Sequence, residues 1–401
     1  MKRAVFLVVF CLWAFTPLAA AGQAKTVASG VRYEHIGDYD TQRLDDILTR
    51  EAAAFSPFPV SYPPAQNAVR LYKVTYPTTI PERGGKPVTA SGLVAVPQVA
   101  AKKLPLVSYQ HGTVFTKTAV PSRPEESTET RLAVARLAGQ GYVVIGADYV
   151  GKGDSDEPDS YMVRDVTVRA CLDMLLAARA VLADLGVEPD KLFLSGWSQG
   201  AWSTMQFRHA LEAFGIPVAA AAAACTPSDL YVLITRWIEN PTSLDATYLA
   251  GIVAMLVHSY AWYYGLPGLP SVAIRPEYQE TARLFYENKI DWAAASKVLP
   301  KTASALLQPA FAGESSLAVA PLYKRFQDNQ AYRWRSATPA RYYYGKRDEV
   351  MPPYVATLPV EYTQILGGAA AEAVCAGDTA DHRGTFLFGL RDQKEFFDSL
   401  R

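Results

Sequence analysis

The chain is expected to fold as an α/β protein, with a mostly parallel sheet, helices on both faces and an inserted helical cap. Three observations predict this. Apolar strand-like runs alternate with helical periodicities across the first half of the chain. One such run ends in Gly196-Trp197-Ser198-Gln199-Gly200 and opens a helix. A helix-rich, aromatic stretch of about 100 residues, far longer than an ordinary connection, then interrupts the strand rhythm, which resumes near residue 340.

The elements follow in order. Residues 69–76 alternate and are rich in β formers, and residues 87–96 do the same. Residues 104–109 form an apolar strand ending at His111-Gly112-Thr113, and residues 129–138 have helical periodicity. Residues 142–148 are a continuous apolar run, as expected of a strand covered on both faces. A long helix is predicted over 164–185, a strand over 191–195, a helix to about residue 214 and a strand over 217–224. Residues 228–335 are assigned to the cap, including Tyr260, Trp262, Tyr263 and Tyr264. A strand over 340–344, a helix over 354–366, a short strand near 373–374 and a last helix complete the chain. The core is thus divided into residues 22–227 and 336–401.

Of the 401 residues, 50% are apolar and 19% charged, enough for a large core. Acidic and basic residues balance at 39 each, which argues against a nucleic-acid partner or a polybasic membrane contact. Met1, Lys2 and Arg3 precede an apolar run and a small-residue site around Ala19–Ala21, the pattern of a cleavable signal peptide over residues 1–21. Cleavage after Ala24 and an uncleaved anchor are the alternatives. Export, secreted or periplasmic, is therefore expected, with no stable membrane span. Cys11 lies in the apolar run without a lipoprotein context. Of Cys171, Cys225 and Cys375, the last two end predicted strands at the same sheet edge, so a Cys225–Cys375 disulfide is expected, with Cys171 packing as a small apolar residue. No Cys-x-x-Cys or His-Glu-x-x-His occurs, so no metal is expected.

The G-x-S-x-G pattern makes Ser198 the candidate nucleophile. Gly196 and Gly200 lack Cβ atoms and let strand and helix approach closely around a strained turn. A hydroxyl needs a base, and such an elbow is followed in the chain by an acid and then a histidine. Of His35, His111, His209, His258 and His382, only His382 follows the last predicted strand. Asp348, after Gly345 and the 340–344 strand, is the candidate acid, with Glu349 as its rival. The oxyanion of a tetrahedral intermediate needs preorganised N–H donors. Gln199 supplies one and Thr113, in the Tyr109–Thr113 loop, the other; His111 is expected to shape that loop rather than do acid–base work.

These residues resemble bacterial members of the α/β-hydrolase superfamily, in particular the secretory-lipase-like serine esterases. The likeness covers about residues 65–400 and is strongest at the motif around Thr113, the 148–155 segment, the elbow and residues 345–348. Ala201 departs from it, since many relatives carry a second glycine there. The resemblance implies hydrolysis of carboxylic esters without a cofactor, on a small-molecule or lipid ester substrate, with the cap lying over the site. Two other functions compete: a serine peptidase of aminopeptidase type, and a non-catalytic binding protein on the same scaffold. Aromatics around Tyr260–Tyr264, Phe285 and Tyr286 are expected to line or cover an apolar acyl pocket, with packing in the cap's own core as the alternative. Asp154, Asp156, Glu157 and Asp159 are expected to form a solvated rim loop. Oligomeric state is not legible.

Overall fold

A computed structural model describes residues 24–312 and 320–401; the expected signal peptide and Cys11 lie outside them. Ten strands form one sheet: β1 Lys25–Ala28, β2 Val31–Tyr39, β3 Val69–Ile80, β4 Lys86–Pro97, β5 Lys103–Gln110, β6 Val143–Ala147, β7 Glu188–Trp197, β8 Ala220–Ala224, β9 Ala340–Tyr344 and β10 Ala371–Cys375. Their order across the sheet is β1-β2-β3-β4-β6-β5-β7-β8-β9-β10. The first four strands and the β4–β6 junction are antiparallel; from β6 to β10 every pairing is parallel.

The parallel half is buried on both sides, and its sequence shows it. Every residue of β6 and of the all-alanine β8 is buried, as is the Leu192–Trp197 end of β7. Consecutive residues of β9 locate the two helical layers, because neighbours along a strand point to opposite faces. The Tyr342 hydroxyl accepts from Arg208 at 3.0 Å, on the helix Gln199–Ala213. The Tyr343 hydroxyl donates to Asp392 at 2.9 Å, on the helix His382–Asp398. These two helices therefore cover opposite faces. Between β8 and β9 the described residues form helices, chiefly Leu230–Glu239, Leu249–Tyr263 and Pro276–Tyr286, with one isolated bridge between Ile274 and Leu307. No described helix is long and apolar enough to cross a membrane.

Two sequence expectations are corrected. β1 and β2 went unread because a bulge between His35 and Gly37 breaks the alternation of Val31–Tyr39. Cys225 and Cys375 are both free. Strand β9 lies between β8 and β10, so the two chains are separated by two inter-strand spacings, about 10 Å, beyond the ~7 Å Cα limit of a disulfide. Cys171 is buried in the helix Arg164–Asp184, as expected.

Candidate active site

Ser198 leaves β7 at φ 56° and ψ −122°, a region that costs a side-chain-bearing residue about 1–3 kcal/mol unless its surroundings impose it. They do. The Ser198 N–H donates to the Ala224 carbonyl at 2.9 Å, and the Ser198 carbonyl accepts from Trp202 N–H at 3.1 Å, starting the helix. The flanking glycines are steric necessities. A Cβ on Gly200 would overlap the backbone of Gln110 and His111, and one on Gly196 would overlap the Gly200 carbonyl and Thr204.

His382 is the first residue of the last helix, and its backbone is fixed from three sides. Its N–H donates to Glu349 Oε2 at 3.0 Å, and its carbonyl accepts from Trp197 Nε1 at 3.1 Å and from the Cys225 thiol at 3.6 Å. Asp381 caps the helix by accepting from Gly384 N–H at 2.6 Å. The imidazole lies 5.0 Å, ring to ring, from Trp197, the residue before Ser198. Its Nδ1 meets both oxygens of Asp348, at 2.9 and 3.0 Å. Asp348 Oδ1 also accepts from Val350 N–H at 2.9 Å and Met351 N–H at 2.7 Å. Asp348 thus faces the ring, whereas Glu349 holds the histidine's main chain. The only side-chain partner of the imidazole nitrogens among the hydrogen bonds of the described residues is Asp348.

Burial drives the Asp348 carboxyl upward, but the imidazole, the Met351 N–H and the Cys225 thiol outweigh it and hold the group below its usual range. Burial likewise pushes His382 downward, and Asp348, then Glu349 and Asp381, reverse this, so its pKa lies above 6.5. Cys225, Asp348 and His382 are the one trio of possible metal-ligand atoms within 4.8 Å of one another among the described residues. Within this trio His382 Nδ1 and the Asp348 oxygens are hydrogen-bonded to each other.

The other histidines lie elsewhere. His209 stacks on Trp334, His258 on Tyr286, and His35 pairs with Asp38 on the surface. His111 stacks on Tyr149 at 4.3 Å, with its ring nitrogens against the Gly112 and Asp148 carbonyls, and burial lowers its pKa to about 4.

Ser198, Gln199 and Thr113 share one small cavity of about 30 Å³, room for roughly two waters. Its remaining wall is mostly aliphatic: Leu230, Leu233, Ile234 and Trp237 from one helix, Ile252 and Leu256 from another. The aromatics take the second of the two expected courses. Tyr260 and Tyr263 spend their hydroxyls on the Met162 and Pro158 carbonyls, Tyr264 bonds Asn329, Trp262 lies under Arg83, and Phe285 packs on Phe115 and Trp292. Tyr286 bonds the Asp159 carbonyl. The readable signal was the spacing 230, 233, 234, 237, one face of a helix. The acidic rim loop is also corrected. Asp159 is buried against Lys152 at 3.0 Å, while Asp154 and Glu157 pair with Lys73 and Lys86, each at 2.7 Å. Only Asp156 is fully solvated.

No protein-family model matches the chain, and no curated protein matches it in sequence. Solved structures do match. A Legionella pneumophila chain described as a candidate hydrolase superposes with TM-score 0.82 at 23% identity, over 92% of this chain and 97% of that one. The rice cell wall degrading esterase LipA from Xanthomonas oryzae gives 0.78 at 21%, over 95% and 100%. Candida antarctica lipase A in its closed state gives 0.65 at 18%, over 83% and 78%. With the strand order, the turn at Ser198 and the Asp348–His382 pair after β9 and β10, these likenesses establish that the chain has the α/β-hydrolase fold.

Proposed function

We propose that the protein is an exported serine hydrolase of carboxylic esters, of the secretory-lipase-like kind, working through an acyl-enzyme on Ser198. Residues 1–21 are its export signal and the helical segment 228–335 its cap. His382 Nε2 takes the Ser198 proton as Oγ attacks the ester carbon, and the imidazolium is stabilised by Asp348. The backbone N–H groups of Gln199 and Thr113 receive the oxyanion. Collapse breaks the bond to the alcohol, which leaves with the proton held by His382. Water then repeats the sequence on the acyl-enzyme and releases the acid.

The observation that carries this reading is Ser198, strained at a strand–helix turn, opening on a cavity with an aliphatic wall beside a buried Asp348–His382 pair. That wall suits an acyl chain and offers no charge to a peptide terminus. The esterase and lipase among the similar structures support the same class. A p-nitrophenyl ester panel from acetate to palmitate, run beside an aminoacyl anilide, tests it. Ester turnover that is lost in Ser198→Ala is expected; cleavage of the anilide alone, or of neither, overturns it.

A further inference from the structure

Glu129 is a buried carboxylate that the proposed chemistry leaves without a task. It lies in the first turn of the helix Thr128–Leu137 and is only 6% exposed. Among the described residues no lysine or arginine pairs with it; its neighbour Arg131 is committed to Glu51 at 2.6 Å. An unpaired carboxylate is an expensive thing to bury, and here burial pushes its pKa up to about 7 against the pull of its two donors and the charge of His382. Those donors are informative. A single oxygen, Oε1, accepts from the Tyr109 hydroxyl at 2.6 Å and from the Gly112 N–H at 2.7 Å. Tyr109 lies at the end of β5, and Gly112 lies in the short segment that leads from it to Thr113.

A Cβ placed on Gly112 would lie 3.0 Å from the Trp197 ring and 3.2 Å from Glu129 Oε2. Gly112 therefore packs closely against both Glu129 and Trp197, the residue preceding Ser198. Thr113, the next residue, is tethered through its hydroxyl to Tyr161 at 2.9 Å. Fixing the Gly112 N–H fixes one end of the short segment carrying the Thr113 N–H, the donor assigned to the oxyanion.

We propose that Glu129 is a positioning residue of the oxyanion hole: its carboxylate, by holding the Gly112 N–H, aims the Thr113 N–H at the developing oxyanion. This rests on the ester-hydrolase reading above. A donor misplaced by about 1 Å can cost on the order of 10² in rate, and the effect falls on the transition state rather than on substrate binding.

The test compares Glu129→Ala, Glu129→Asp and Glu129→Gln in the full chain, each checked for folding by circular dichroism and melting temperature. The readouts are kcat and KM on a short p-nitrophenyl ester and the inhibition constant of an alkyl boronic acid, which mimics the tetrahedral adduct. Glu129→Ala and Glu129→Asp should lose about 10- to 100-fold in kcat with KM within about threefold. Boronate affinity should fall in parallel. Glu129→Gln, whose amide oxygen can still accept from Gly112, should regain most of both. If Glu129→Ala does not fold, Glu129→Asp against Glu129→Gln decides. Folded variants that keep the parental kcat and boronate affinity overturn the proposal, as does a loss confined to KM. An equal loss in Glu129→Gln also overturns it, because charge rather than the held N–H would then be the cause. A parent protein with no ester turnover sinks the functional reading itself, and this assignment with it.

Discussion

Exchanging Asp348 for asparagine isolates the electrostatic role of the acid with little change of shape. Asp348 Oδ1 accepts two backbone N–H groups as well as facing Nδ1. The asparagine oxygen will stay with Val350 and Met351, which turns its NH₂ toward the imidazole. When Nδ1 accepts from that NH₂, at the Oδ2 position 3.0 Å away, the ring proton sits on Nε2, and the nitrogen that should take the Ser198 proton is already occupied. The expected loss in kcat is about 10⁴, or about 5.5 kcal/mol at 1.36 kcal/mol per decade. Glu349→Gln provides the internal control. Its amide oxygen can still accept the His382 N–H that Glu349 Oε2 takes at 3.0 Å, so kcat should fall less than about tenfold. The assay is steady-state turnover of a short p-nitrophenyl ester near pH 8. Retention of more than a tenth of kcat in Asp348→Asn, with Glu349→Gln crippled, would refute the assignment of the acid.

Ser198→Ala should lower turnover by about 10⁴–10⁶, and a fluorophosphonate should label the parent protein at Ser198 alone; mass mapping of the adduct to another serine contradicts this. On the proposed mechanism activity requires neutral His382, whose pKa is raised by Asp348. A plot of kcat/KM against pH should therefore rise through an ionisation above 6.5 and plateau on the alkaline side, where a falling limb over that range would be inconsistent. Gly200→Ala should yield little soluble protein, or a sharply lower melting temperature, because the new methyl would meet main chain that cannot swing aside; a folded, normally stable variant would show that the helix can retreat from β5. Leu256→Trp should fill the cavity beside Ser198 and depress turnover of long acyl esters far more than of acetate, and an unchanged chain-length profile would remove this wall from the acyl site.

The parts of the site that could be read beforehand are those where local chain geometry leaves few options. A tight strand–helix turn admits little besides glycine at 196 and 200, and the chain order of the elbow then narrows the base to His382. Asp348 and Glu349 are adjacent and chemically alike. What separates them is which carboxylate is turned inward by the Val350 and Met351 N–H groups, information held in three dimensions. The cysteine pairing failed for a topological reason, since two strands ending at the same edge reveal nothing about a third lying between them. The aromatics between β8 and β9 are conspicuous in the sequence, yet the tyrosines among them carry hydroxyls that must find carbonyls, which draws them away from an apolar cavity. Glu129 had no readable signal at all, because its role depends on a loop 17 residues earlier in the chain.

On the proposed reading, two contacts between the helical segment after β8 and the residues beside Asp348 would make substrate entry a mechanical event for the acid. The Trp237 indole N–H donates to the Val350 carbonyl at 3.2 Å, and the Ala246 N–H donates to the Glu349 carbonyl at 3.0 Å. Trp237 also lines the cavity that an acyl chain would have to prise open. A helix that moves outward to admit a chain either breaks its bond to Val350 or drags along the very peptide whose N–H fixes Asp348. Esters of different bulk would then meet differently tensioned copies of the same acid–base pair, and discrimination among them would be written into the speed of bond cleavage as well as the strength of binding.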